Sequence, residues 1–178
     1  MEIENFKLID FFNQNRSLID NYVVILRYVK PIKTKREVFQ MKLKHVELIK
    51  QTIGSGNDRD LIKIVSKVQK CSEDEVLEMQ IIHFFGIINS IKEQLMTIVR
   101  AEENGLTPSD VNMKWEQVGG SERMEKFGII NTLDKLTGKK PHLHKVYLNM
   151  KYSEIFTILL KWKTEAEIQK EMNQIKTK

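Results

Sequence analysis

Residues 81–99, IIHFFGIINSIKEQLMTIV, constrain this chain more than any other stretch. They are apolar around most of a helical circumference, and such a helix is stable only when neighbours cover it on several sides. No apolar stretch reaches the ~20 residues that a bilayer crossing needs. The pattern predicts a central helix over about 80–103. The rest of the chain suits that role. Three prolines and eight glycines in 178 residues favour long helices over a turn-rich β fold. With 41% hydrophobic and 30% charged residues, the chain can bury a core.

Around this centre the sequence reads as shorter amphipathic helices. Ile3, Phe6, Leu8, Ile9 and Phe12 form an apolar stripe over 3–13. HVELIKQTI (45–53) is helical and stops at GSGND, where Gly54 and Gly56 suit a helix end and a turn. In RDLIKIVSKVQ, the residues Leu61, Ile64, Val65 and Val68 share one face. Ser72 and Glu75 make a capping-box pattern, so a short helix starts at 73. ENGLTPSD is the clearest break, separating an N-terminal part (1–104) from a C-terminal part (105–178) of one compact unit. Beyond it, a helix over 121–137 turns Phe127, Ile130, Leu133 and Leu136 inward and ends at Gly138. KKPHLHKVYLNM is an irregular linker or short extended piece. The final helix, 153–175, is capped by Ser153, buries Ile155, Phe156, Leu159, Leu160 and Trp162, and then becomes polar.

One segment departs from helical periodicity. YVVILRYV (22–29) is β-branched and aromatic and ends before Pro31. It suits a strand or a buried helix turn. In VFQMKLK (38–44), Phe39, Met41 and Leu43 alternate with Gln40, Lys42 and Lys44, the period of a half-buried strand. The expectation is a mainly α fold, an irregular helical domain with a small two-stranded β-hairpin or basic arm at 22–44. That segment is also where the charge lies. Residues 27–50 hold eight bases and two acids, a net +6 against +5 for the whole chain, so the remainder carries −1. An anionic partner should therefore meet this segment. The candidate contact residues are Arg27, Lys30, Lys33, Lys35, Arg36, Lys42 and Lys44. The segment reads as a solvated basic hairpin, as one that meets an acidic protein surface, or as a nucleic-acid contact, although no helix-turn-helix spacing or other recognition motif accompanies it.

Local chemical signatures are scarce. WEQVGGSERMEKFG (115–128) sets two glycines before a helix, which raises the question of a phosphate loop. Neither the nucleotide-binding lysine pattern nor G-x-G-x-x-G is present, and Glu122 and Glu125 would repel a phosphate. The simpler reading is a helix entry in which Gly120 bends the chain, Ser121 caps the helix and Trp115 folds back onto it. His142 and His144 form an H-x-H, but three lysines surround the pair and no third ligand is adjacent. His83, inside an apolar run, reads as a core histidine. Asp58 and Asp60 lack the calcium-loop pattern and suit an N-cap for a helix starting near 60. The single Cys71 excludes an internal disulfide and favours a reducing compartment. The acidic start, MEIENFKLIDFF, has no basic lead and reads as something other than a secretory leader. The expectation is a protein that is not an enzyme, with no catalytic residues, cofactor, metal, membrane segment or small-molecule substrate.

HVELIKQTIGSGNDRDLIKIVSKVQKCSEDEV, KWEQVGGSERMEKFGIINTLDKL and YSEIFTILLKWKTEAEIQKE together give the chain its manner. In that manner it resembles small helix-rich structural or tail-assembly proteins of tailed bacteriophages, those of the crAss-like group above all. The resemblance covers about residues 40–175. It implies a non-enzymatic virion component at a ring, neck or tail-connector position, or a tail-assembly chaperone. It further implies a homo-oligomer that contacts other structural proteins, assembled in the host cytoplasm and located in the virion. A regulatory nucleic-acid-binding protein using 27–50 is the alternative.

Overall fold

The computed structural model describes residues 6–55, 58–108 and 112–176. The chain is mainly helical, with 77% helix in 11 α-helices among the described residues. In chain order these are α1 (Leu8–Phe12), α2 (Arg16–Leu26), α3 (Leu43–Ser55), α4 (Asp58–Gln69), α5 (Glu73–Leu77) and α6 (Ile81–Leu106). They continue as α7 (Met113–Gln117), α8 (Gly120–Glu125), α9 (Ile129–Thr137), α10 (His144–Asn149) and α11 (Tyr152–Lys176). Short 3-10 turns occupy Val38–Gln40 and Pro141–Leu143.

The expected hairpin at 22–44 does not form, and there is no strand among the described residues. Its first half continues α2. The Asn15 side chain accepts a hydrogen bond from the Ser17 N–H and starts that helix. Ile19, Val23 and Leu26, spaced four and three apart, then turn to the interior. α2 ends at Leu26, a turn carries the chain to Val29, and Pro31 then disfavours helical geometry at Lys30. In the second half the alternation is real but short. Met41 and Leu43 are buried, while Lys42 and Lys44 are exposed. Only an isolated bridge, Lys42 to Lys151, accompanies it before α3 begins. Alternating burial needs one extended step, whereas a strand needs a partner ladder.

The chain divides into two compact units, one of residues 1–41 and 48–98, the other of 42–47 and 99–178. In the first unit the central run behaves as expected. Ile81, Phe84, Ile87, Ile88, Ile91, Leu95 and Ile98 of α6 are buried. Phe11, Ile19, Leu26 and Ile81 form one apolar cluster, with Phe85 set edge-on to Phe11 at 6.3 Å. The stripe of α1 is Leu8 and Phe11, with Ile9 outside. Ile64, Val65 and Val68 of α4 are buried, and Asp58 and Asp60 lie in its first turn, so the helix starts earlier than expected. The Ser72–Glu75 capping box forms in full. His83, expected in the core, is exposed on the outer side of α6.

In the second unit, Leu43, Val46, Leu133, Leu136, Tyr152 and Ile155 are buried. The expected single helix over 121–137 is broken. Gly128 takes a φ of +48°, which glycine alone tolerates easily, and separates α8 from α9. Phe127 and Ile130 of the expected stripe are consequently exposed, while Leu133 and Leu136 remain buried. Gly138, at φ +59°, ends α9 as a left-handed cap. The linker after it forms the 3-10 turn and α10. Ser153 lies within the first turn of α11 and not at its cap. Leu160 and Trp162 of that helix are partly exposed, so its packed face is narrower than its apolar content suggests.

Candidate functional site: a clamped basic strap

Residues 27–41 join α2 to α3 and carry five of the seven candidate cations. This strap has little regular structure, so its backbone groups need partners from elsewhere. Side-chain amides supply them. Asn89 Nδ2 donates to the Val29 carbonyl at 2.8 Å and to the Arg27 carbonyl at 3.3 Å. Gln94 acts in both directions. Its Oε1 accepts from the Val38 N–H at 2.8 Å, and its Nε2 donates to Thr34 Oγ1 at 2.9 Å. The Thr34 hydroxyl donates to the Arg36 carbonyl at 2.8 Å. Gln69 Oε1 of α4 accepts from the Lys35 N–H at 3.3 Å. Gly86 lets the strap approach α6 closely. The Ile32 N–H donates to the Gly86 carbonyl at 3.0 Å, and a Cβ on Gly86 would stand 2.7 Å from the Ile32 side chain.

This clamping sorts the side chains. Thr34 and Val38 are buried, whereas Arg27, Lys30, Lys33, Lys35 and Arg36 are exposed. Lys42 and Lys44, in the second unit, are also exposed. None of the seven forms an ion pair with a described residue. The expectation of a projecting arm is corrected. The strap lies against α6 and presents its cations from a fixed backbone. A preorganised array loses less entropy on meeting an anionic surface than a flexible arm does. Tyr28, 87% exposed, stands between Arg27 and Lys30 in sequence. Lys92 of α6 has its pKa lowered by burial and then by the positive charge of Arg27.

Sequence reasoning found the cations but missed the residues that hold the strap. Their signal lay in the polar interruptions Asn89 and Gln94 of an otherwise apolar helix.

The other motifs resolve separately. At the glycine turn, Gly119 takes the left-handed conformation at φ +64° and serves as the N-cap of α8. Ser121 is not the cap. Its hydroxyl donates to Glu116. Trp115 folds back as expected, its ring lying so close to Gly120 that no β-carbon fits there. His142 and His144 do not share an extended face. His142 is exposed, and His144 Nε2 is 3.0 Å from Asp134 Oδ1. No group of three metal-ligating side chains occurs among the described residues. Burial raises the pKa of the Cys71 thiol, aided by Glu75. No described helix is long and apolar enough to cross a membrane. A cleft of about 560 Å³ in the second unit is lined by Leu106, Thr132, Lys135, Leu159, Trp162 and Lys163, among others.

The chain matches no protein-family model, no curated protein and no solved structure.

Proposed function

We propose that this chain is a non-enzymatic interaction protein of a multi-subunit assembly, and that the basic strap is its contact with an acidic component of that assembly. The observation that carries this reading is the set of exposed, unpaired cations on a backbone held by Asn89, Gln94 and Gln69. The resemblance to small phage proteins supports a more specific form, a ring or tail-connector component of a tailed-phage virion. A second reading, binding of nucleic acid by the same strap, draws support from exposed Tyr28, since an aromatic ring among cations suits base stacking.

The triple charge reversal Lys33→Glu/Lys35→Glu/Arg36→Glu tests the strap. Stability should stay within about 1 kcal/mol of the parent, as for surface changes. Complexes recovered with the tagged chain from virions or host lysate should lose their acidic component. Recovery of the same complexes by the reversed chain at low salt would refute the strap as a contact. Binding of a mixed-sequence oligonucleotide, weakening steeply with salt and lost in the same variant, would favour the second reading.

A further inference from the structure

The cleft of about 560 Å³ is built from residues of the second unit alone. Its size falls within the roughly 300–1,000 Å³ of small-molecule pockets. The lining combines an apolar face with a few polar groups. On α11, Leu159, Trp162 and Ala166 stand at i, i+3 and i+7, on one face of the helix. Leu106, at the end of α6, adds to that apolar surface. The Trp162 indole remains 42% exposed, which leaves aromatic surface for a ligand to cover. From α9 come Thr132 and Lys135, at i and i+3. Neither the Thr132 hydroxyl nor the Lys135 ammonium is bonded to a described residue. Lys163, Glu167 and Lys170 also line the cleft, so three lysines stand against one glutamate, a net +2. That glutamate is already taken up, lying 3.5 Å from Lys163.

We infer that this cleft binds a small apolar monocarboxylate. The hydrocarbon body covers Leu106, Leu159, Trp162 and Ala166, and the carboxylate accepts hydrogen bonds from the Lys135 ammonium and the Thr132 hydroxyl. Charge selects the head group. A cationic ligand meets a net positive lining. A neutral one gains nothing from Lys135, whereas a carboxylate forms a charge-assisted bond with it. One free ammonium and one hydroxyl suit the single charge and the two oxygens of a carboxylate. A phosphate dianion would bring more acceptors than these donors can satisfy. The apolar face selects the body, because covering exposed hydrocarbon and indole surface supplies most of the affinity. The strap lies in the first unit and shares no residue with the cleft, so neither reading depends on the other.

The test is an NMR titration of the full-length chain. Its two tryptophans, Trp115 and Trp162, give two indole N–H signals, which Trp162→Phe assigns. The probes are naphthoate and dodecanoate, the latter kept below the concentration at which it forms micelles. Dodecanol is the uncharged control. Either acid should move the Trp162 signal saturably and leave that of Trp115 in place. The tighter of the two tells whether the body is aryl or alkyl. Lys135→Met should weaken the acid about tenfold, as when a charge-assisted hydrogen bond is lost, and leave dodecanol unaffected. Lys145→Met, exposed and outside the cleft, should change neither. Circular dichroism confirms that these variants fold. The inference is overturned if neither acid moves the Trp162 signal, or if both indoles move together. It is overturned equally if dodecanol binds as tightly as dodecanoate, or if Lys135→Met binds the acids like wild type. A Trp162 signal that moves on dilution of the chain alone gives the cleft to a second copy, and also overturns it.

Discussion

Tyr152 is a side chain whose pKa the fold raises. It is buried in the second unit, and its hydroxyl donates to Glu102 Oε1. Burial is the first cause of its raised pKa, followed by the hydrogen bond to Glu102 and the negative charges of Glu102 and Glu47. The sign of the pH effect follows. The unfolded phenol ionises near 10.0 while the folded one stays neutral, so the stability it contributes is complete below that pH and declines as pH rises above it. Tyr152→Phe removes a proton that the fold refuses to release. At neutral pH the variant should lose about 1–2 kcal/mol, because a carboxylate loses a donor. Between about pH 9 and about pH 11 its unfolding free energy should fall less than that of the parent. Denaturant titrations of both chains across that range check it, and parallel slopes would remove Tyr152 as a cause.

The strap and α6 are coupled through a glycine and two amides, and a single methyl group probes the coupling. In an isolated helix, Gly86→Ala would stabilise by up to about 1 kcal/mol, since alanine is the better helix former. Here the new Cβ would lie 2.7 Å from Ile32 and 3.0 Å from the Lys30 carbonyl, so the strap must move away. The expected outcome is therefore a loss of roughly 1–3 kcal/mol. Faster hydrogen exchange at the Ile32 N–H should accompany it, because that group bonds the Gly86 carbonyl. A stabilised variant with unchanged exchange would mean that the strap is not held at this point. Opposite signs for the two outcomes make the melting curve alone nearly decisive.

The distribution of apolar surface over the molecule separates what folds it from what it offers to others. In the described part of α11 beyond Trp162 no residue is buried, and its apolar side chains Ile168, Met172 and Ile175 are outside. Exposed apolar residues in a helical row cost little when monomeric and contribute only when covered. Ending the chain after Lys163 should thus change unfolding free energy by no more than about 1 kcal/mol, as for other exposed positions. A large loss of stability would show that this half of α11 belongs to the core of its own copy.

Much of this architecture is legible in the sequence. The central helix, the face of α4, the Ser72–Glu75 box and the left-handed Gly138 cap are carried by residues within a turn or two of one another. Periodicity and capping are local, and no distant partner was needed to read them. The candidate cations were legible for the same reason, as a run of charge. The form of residues 22–44 was not. Alternation at Phe39–Lys44 matched a strand, but a ladder needs a second strand and there is none among the described residues. The backbone found its partners instead in Gln69, Asn89 and Gln94, between 34 and 62 residues away. Nothing local could have placed His83 outside the core or brought Asp134 to His144, whereas the break at Gly128 had a local signal in the glycine itself. Such outcomes depend on which faces the packed neighbours cover, and hydrogen bonds across long sequence separations decided the form of the strap.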